Sequence, residues 1–188
     1  KRIGKAPILP GLGFSGGTIA RDVTQLIKFS KQKKHKSNLL LSITKSNEQT
    51  FSDIIDKLTL ALGNLTDKTI GILGLTYKPG TSTLRRSPAI KLIQLLQKEN
   101  ARCLGFDPKA DNKEVEQYSK LFDRVATIEE LSSKSNALLL VTEWPEFQEF
   151  DYVKLGKTMK KPIFIDSKNY IDPEKIKQAG FIYIGFGQ

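Results

Sequence analysis

Glycines and fixed cations are the residues of this 188-residue sequence that most suggest chemistry. Gly11, Gly13 and Gly16 spell GxGxxG, a spacing that lets backbone amides approach a ligand closely. The dinucleotide reading of that spacing fails. It needs a preceding strand, and Pro7 and Pro10 interrupt the residues before it. It also needs an acidic residue about 20 positions later, where this chain is rich in lysine. A second glycine pair, Gly71 and Gly74 in GILGLTYKPG, lacks the third glycine and an immediate helix. Just beyond it, Lys78 and Arg85 place fixed cations near a strand end, as phosphate contacts or as solvated loop charges. The inventory excludes other chemistries. A single cysteine, Cys103, rules out a disulfide framework and a Cys-based zinc site. A single histidine, His35, argues against a Ser-His-Asp triad and a His metal cluster, so no metal site is expected.

The elements that must position these residues fall into two parts. Residues 1–19 read as a Gly/Pro-rich loop. The spacing of Val23, Leu26 and Ile27 predicts a helix from Ala20 to about Lys34, and a second helix runs from about Asn38 to Leu62. The stripe Phe51, Ile54, Ile55, Leu58 and Leu62 exceeds what one neighbouring helix needs, and Gly63-Asn64 stops the helix. From Lys68 onward strands alternate with helices. Thr69–Leu75 reads as a buried strand, followed by a loop over 76–86. Ser87-Pro88 offers an N-cap with proline in the first turn of a helix reaching Asn100. Further strands are expected at Arg102–Phe106, Arg124–Ala126, Ala137–Thr142, Pro162–Asp166 and Phe181–Gly185. Helices are expected at Ile128–Ser133, briefly after Pro145, and at Pro173–Ala179. This alternation predicts an α/β fold: a parallel sheet with helices on both faces, preceded by an α-helical segment. Such sheets bind ligands at the carboxyl ends of their strands, which singles out the loop 76–86.

Thirty Lys and Arg against 20 Asp and Glu give a net charge of +10, favouring an anionic partner. Much of the excess lies in Lys28, Lys31, Lys33, Lys34 and Lys36. Only Phe29 interleaves with them, so the solvated end of a helix is favoured over a nucleic-acid surface. No apolar run approaches the roughly 20 residues that span a bilayer, and no signal-peptide pattern opens the chain. A soluble, cytoplasmic protein is expected, without a nucleic-acid or membrane partner. The first residue, Lys1, is the start expected of a piece of something longer.

Several blocks, in order, resemble the C-terminal half of the UDP-glucose/GDP-mannose dehydrogenase family. Arg2-Ile3-Gly4 and PGLGFSGGTIARD resemble the family's RIG and GxGFGGSCFxKD segments. TDKTIGILGLTYKPGTSTLRRSPAI resembles its GLxFKxxTDDxRESPAI block. FDPKA, LLLVTEWPEF and FIDSKNYID resemble YDPKA, TEWxEF and DGRNxxD. The resemblance implies a catalytic-loop remnant and helical dimerisation segment over 1–65, and a Rossmann-like nucleotide-sugar-binding α/β domain over 66–188. It implies NAD-dependent oxidation of a sugar C6 alcohol, a nucleotide-sugar partner and a homodimer. The upstream NAD domain of the family is absent from this sequence.

Carried over by position, Leu9, Pro10, Gly11, Leu12 and Gly13 lie along the sugar nucleotide. Tyr77 and Lys78 contact the substrate, and Lys168 stands where the family usually has arginine, losing the planar fork. Arg2 matches an arginine reaching the neighbouring subunit's site. Arg21 and Arg85 fall near NAD, and Asp22 matches a catalytic-loop aspartate. The main departure is Thr18, at the position of the nucleophilic cysteine. A threonine hydroxyl has a far higher pKa than a thiol, and the sequence offers no base beside it. Cys103, in an apolar strand, is expected to be buried and structural. Ser15 for glycine and Arg86 for glutamate are further departures. An alternative reading is therefore a catalytically inactive relative that binds the sugar nucleotide or serves in dimerisation.

Overall fold

A computed structural model describes residues 11–14 and 18–187 of the chain. Two helices come first, α1 (Ile19–Gln32) and α2 (Asn38–Leu62). Then β1 (Thr69–Leu73), α3 (Pro88–Lys98), β2 (Arg102–Phe106), α4 (Asn112–Gln117), β3 (Asp123–Arg124) and α5 (Ile128–Lys134) follow. β4 (Ala137–Leu140), a 3-10 turn (Pro145–Glu149), α6 (Tyr152–Thr158), β5 (Ile163–Asp166), α7 (Pro173–Gln178) and β6 (Ile182–Gly185) complete the order. All pairings are parallel, and the strands lie in the order β3-β2-β1-β4-β5-β6. That is the doubly wound order of Rossmann-type sheets, whose direction reverses between β1 and β4.

The sheet is covered on both faces because its central strands are apolar at successive positions. Ile70, Ile72, Leu139, Ile163 and Ile165 belong to one core cluster, with Ile90, Ile93 and Leu96 of α3. The alternate residues Leu73, Leu138, Leu140 and Phe164 belong to a second, with Leu131 of α5, Leu155 of α6 and Ile176 of α7. Gly71 also faces that second side. A Cβ there would fall 2.9 Å from Leu138 Cδ2 and 3.0 Å from Leu131 Cγ, so the missing side chain brings α5 close to the sheet. The starts of α3 to α7 are fixed locally. Ser87 accepts from the Ala89 N–H with Pro88 behind it, as the sequence suggests, and Asp111, Thr127, Asp151 and Asp172 cap α4 to α7.

Four sequence expectations need adjustment. β1 ends at Leu73, after which Leu75 N–H donates to Asp107, β3 is the two residues Asp123–Arg124, after which Ala126 N–H donates to Glu130, and β4 ends at Leu140. α3 ends at Lys98. Helices α4 and α6 lie outside the expected set; each is short, and its cap aspartate is the sequence signal that marks it. Finally, the stripe on α2 is not surplus. Phe51, Ile54 and Leu58 are buried in the same cluster as Ile90 and Ile93, with Ile55 and Leu62 packed against it. Exposed apolar side chains lie mostly upstream, Ile19, Leu26 and Phe29 on α1 and Leu39, Leu41 and Ile43 on α2, with Leu60 exposed near the end of α2. The lysines 28, 31, 33, 34 and 36 are all exposed around the end of α1, which is the solvated helix end expected of them.

Candidate functional site

The carboxyl edge of the sheet gathers most of the described candidates. β1 runs out through Gly74 into a loop that returns to α3 at Pro88. Its root, Leu75-Thr76, is buried, Tyr77 is half-buried and Lys78 is exposed. The loop is tied along its length. Tyr77 N–H donates to the Thr83 carbonyl at 2.9 Å, and Thr81 Oγ1 donates to the Lys78 carbonyl at 2.8 Å. From α4, the Glu114 carboxylate accepts from Thr83 Oγ1 and from the Leu84 N–H. At the root, Asp107, which directly follows β2, accepts from the Leu75 and Thr76 N–H groups at 2.8 and 2.9 Å. The lysine is thus exposed on a loop whose foundations are fixed.

Lys168 lies on the same edge, beyond β5. Asp166 holds its backbone, accepting from the Lys168 N–H at 2.9 Å and from the N–H groups of Tyr170 and Ile171 at 2.8 and 2.9 Å. Burial holds the Asp166 carboxyl above the usual carboxylate range, against the pull of those N–H donors. The Lys168 ammonium sits 3.2 Å from Glu143, a residue beyond β4 that sequence reasoning quoted within TEWPEF without giving it a role.

The glycine loop reaches this lysine. A Cβ on Gly11 would fall 3.2 Å from Lys168 Nζ and 3.3 Å from its Cδ, so glycine lets the loop approach the side chain. Leu12 anchors the loop in the core at 1% exposure. Gly13 has φ +75, and a Cβ there would fall 2.1 Å from Asn47 Oδ1. Asn47 of α2 accepts from the Phe14 N–H at 2.7 Å and donates to the Phe14 carbonyl at 3.1 Å. That paired bond clamps the loop to α2. Nothing in the local sequence around Asn47 announces it, since its partner lies 33 residues away.

The remaining candidates are scattered. Arg2, Leu9 and Pro10 lie outside the described residues. Thr18 is the exposed residue before α1 and makes no side-chain capping bond. Asp22 and Arg21, both exposed, pair with each other at 3.1 Å. Arg21 also lines a cleft of about 640 Å³ between α1, α2 and the start of α3, together with Asn47, Phe51, Arg86 and Lys91. Arg85 is not among the cleft's lining residues, whereas Arg86, at φ 61, is. Cys103 is buried, and burial pushes its thiol up to about 12, so it is a structural residue. Among the described residues no cluster of three or more His, Cys, Asp or Glu is placed to hold a metal ion. No described helix is long and apolar enough to cross a membrane.

Comparison with known proteins places this architecture. Residues 71–173 match the model of the UDP-glucose/GDP-mannose dehydrogenase family, UDP binding domain. The chain is 32% identical over 194 residues to the UDP-glucose 6-dehydrogenase TuaD of Bacillus subtilis, covering all of this chain and 41% of that protein. It is 35% identical over 190 residues to a UDP-glucose 6-dehydrogenase of Rickettsia bellii, covering all of this chain and 44% of the relative. The structure of a UDP-glucose dehydrogenase from Pyrobaculum islandicum superposes with a TM-score of 0.82 at 25% identity, over 98% of this chain and 40% of that one. The chain therefore spans about two-fifths of the length of these relatives. With its doubly wound sheet and its match to the UDP binding domain, it belongs to the UDP-glucose/GDP-mannose dehydrogenase family.

Proposed function

We propose that this chain binds the nucleotide of a nucleotide sugar at the carboxyl edge of its sheet. On this reading it is the UDP-binding part of an NAD-dependent nucleotide-sugar 6-dehydrogenase. The observation that carries the reading is the convergence on one edge of a preset loop bearing Tyr77 and Lys78, and of Lys168 against Gly11. The two ammonium groups meet the diphosphate, and the glycine loop lets its backbone approach the ligand. Glu143 neutralises Lys168 until an anion arrives and orients its side chain. Thermal and calorimetric titrations with UDP and GDP test the base preference. Lys78→Ala is expected to weaken UDP binding by about one to two orders of magnitude, since a charge-assisted hydrogen bond contributes roughly 1.5–3 kcal/mol. The same affinity in the mutant would refute the placement.

The described residues do not make a dinucleotide site by themselves. Thr142 packs against Gly74 at the reversal point, and Arg21 and Arg86 line a separate cleft. NAD enters this reading only through the family, with Arg21 and Arg85 as candidate contacts. A homodimer paired through α1 and the first half of α2 belongs to the same reading, supported by the exposed Leu26, Phe29 and Leu39. A second reading, a non-catalytic nucleotide-sugar binder, is favoured by Thr18, an exposed hydroxyl without a capping bond at the position of the family's thiol nucleophile.

A further inference from the structure

We propose that Asp107 is a positioning residue that presets the ligand loop, in place of the sugar contact that an acidic residue makes at this point of a dinucleotide-binding sheet. In doubly wound sheets of this order, an acidic residue following the second strand meets a ribose hydroxyl at the reversal point. Asp107 stands there but is turned inward, at 3% exposure. Its Oδ2 accepts from Leu75 N–H, Thr76 N–H, Thr76 Oγ1 and Trp144 Nε1 at 2.8, 2.9, 2.9 and 3.1 Å. Its Oδ1 accepts from the Lys109 N–H at 2.9 Å. Five donors of the protein's own chain thus converge on this carboxylate. The glycine tells the same story. At Gly74, with φ +87, a Cβ would fall 2.5 Å from Thr142 Cβ and 2.6 Å from the Thr142 carbonyl oxygen. Thr142, at the exit of β4, thus packs directly against the backbone where the chain leaves β1.

The bonds at the root fix the loop above it. Thr76 is fully buried, and its carbonyl accepts from Thr142 Oγ1 at 2.6 Å and from Ser87 Oγ at 3.3 Å. Both ends of the loop and the exit of β4 thereby meet at one residue, and Asp107 holds that residue's N–H and hydroxyl. Tyr77 and Lys78 follow directly, so their backbone is ordered before any ligand arrives, which lowers the entropic cost of binding. The inference rests on the reading that this loop meets a nucleotide. The chain carries its own reporter, because Trp144 is the only tryptophan and its indole N–H donates to both Asp107 and Thr76.

The test uses the 188-residue chain and UDP as probe. Asp107→Asn is expected to keep a cooperative thermal transition, shift the Trp144 emission and speed amide exchange over residues 75–84 while leaving β5 protected. UDP should bind up to about tenfold more weakly, the scale of ordering on binding a side chain that the cluster no longer presets. Combined with Lys78→Ala, the losses should fall short of the product of the two single effects, because Asp107 acts through that lysine. Independent, multiplicative losses, or wild-type UDP affinity in a folded variant with shifted emission, overturn the proposal. If Asp107→Asn does not fold, Thr76→Val, which removes one donor of the cluster, decides by the same readouts with smaller shifts. If the wild-type chain binds no UDP, the nucleotide reading fails on its own. Amide exchange then still decides the positioning role, and unchanged protection of residues 75–84 in Asp107→Asn overturns it.

Discussion

The sheet and the leading helices obey different rules. In the sheet, β1, β4 and β5 are buried on both faces and every adjacent pair is in parallel register. Two buried aspartates serve as fastenings: Asp107 ties β2 to the loop after β1, and Asp166 ties β5 to the turn that bears Lys168. In α1 and the first half of α2, apolar side chains such as Phe29 and Leu39 stand in the open at 54% and 73% exposure. The second half of α2 is different again, since Phe51, Ile54 and Leu58 join the sheet's core. The lesson is that the structural boundary falls inside a single helix. The candidate site is built at that seam, where Asn47 clamps the glycine loop and Gly11 meets Lys168.

The contrast is broken most directly by truncating one side chain on each side. Ile72→Ala, fully buried between β2 and β4, should cost about 2–5 kcal/mol in urea unfolding, because a cavity is left in a close-packed core. Phe29→Ala should change stability by less than about 0.5 kcal/mol, the scale of an exposed position. Equal costs would mean that α1 is as integral to the fold as β1. Gly74→Ala sharpens the contrast at the reversal point. Forcing a left-handed backbone and a contact with Thr142 backbone atoms should cost about 2–4 kcal/mol, and a neutral substitution would show that Thr142 can give way.

A smaller effect concerns Cys103 on β2, whose thiol is pushed from its ordinary 9.0 to about 12 by burial. Because the folded value is the higher, its contribution to stability is fully present below the unfolded value and is lost as pH rises toward the folded one. At pH 8 a thiol reagent should label the native chain only at the rate of unfolding and label the denatured chain promptly. Prompt labelling of native protein would place β2 among the loosely held parts.

How much of this was legible beforehand follows from the range of the interactions. The helix starting at Ser87-Pro88, the alternation that implies a parallel sheet and the existence of the six strands are local patterns, and the structure has them, with strand ends shifted by one or two residues. α4 and α6 escaped because short amphipathic turns carry little periodicity; only Asp111 and Asp151 at their caps mark them. The α2 stripe was legible as buried, but its partner was not, since a helix face shows that it will be covered and says nothing of what covers it.

By itself, then, the sequence determined the class of fold and the position of the loop after β1. Those depend on residue type and on spacings of a few positions, which chain geometry enforces anywhere. Only the tertiary structure decided that Asp107 faces inward, that Glu143 pairs with Lys168 and that Asn47 holds Phe14. Each of these joins residues distant in the chain. Their meeting depends on the order and register of the strands and on the seating of α2, which no local pattern contains.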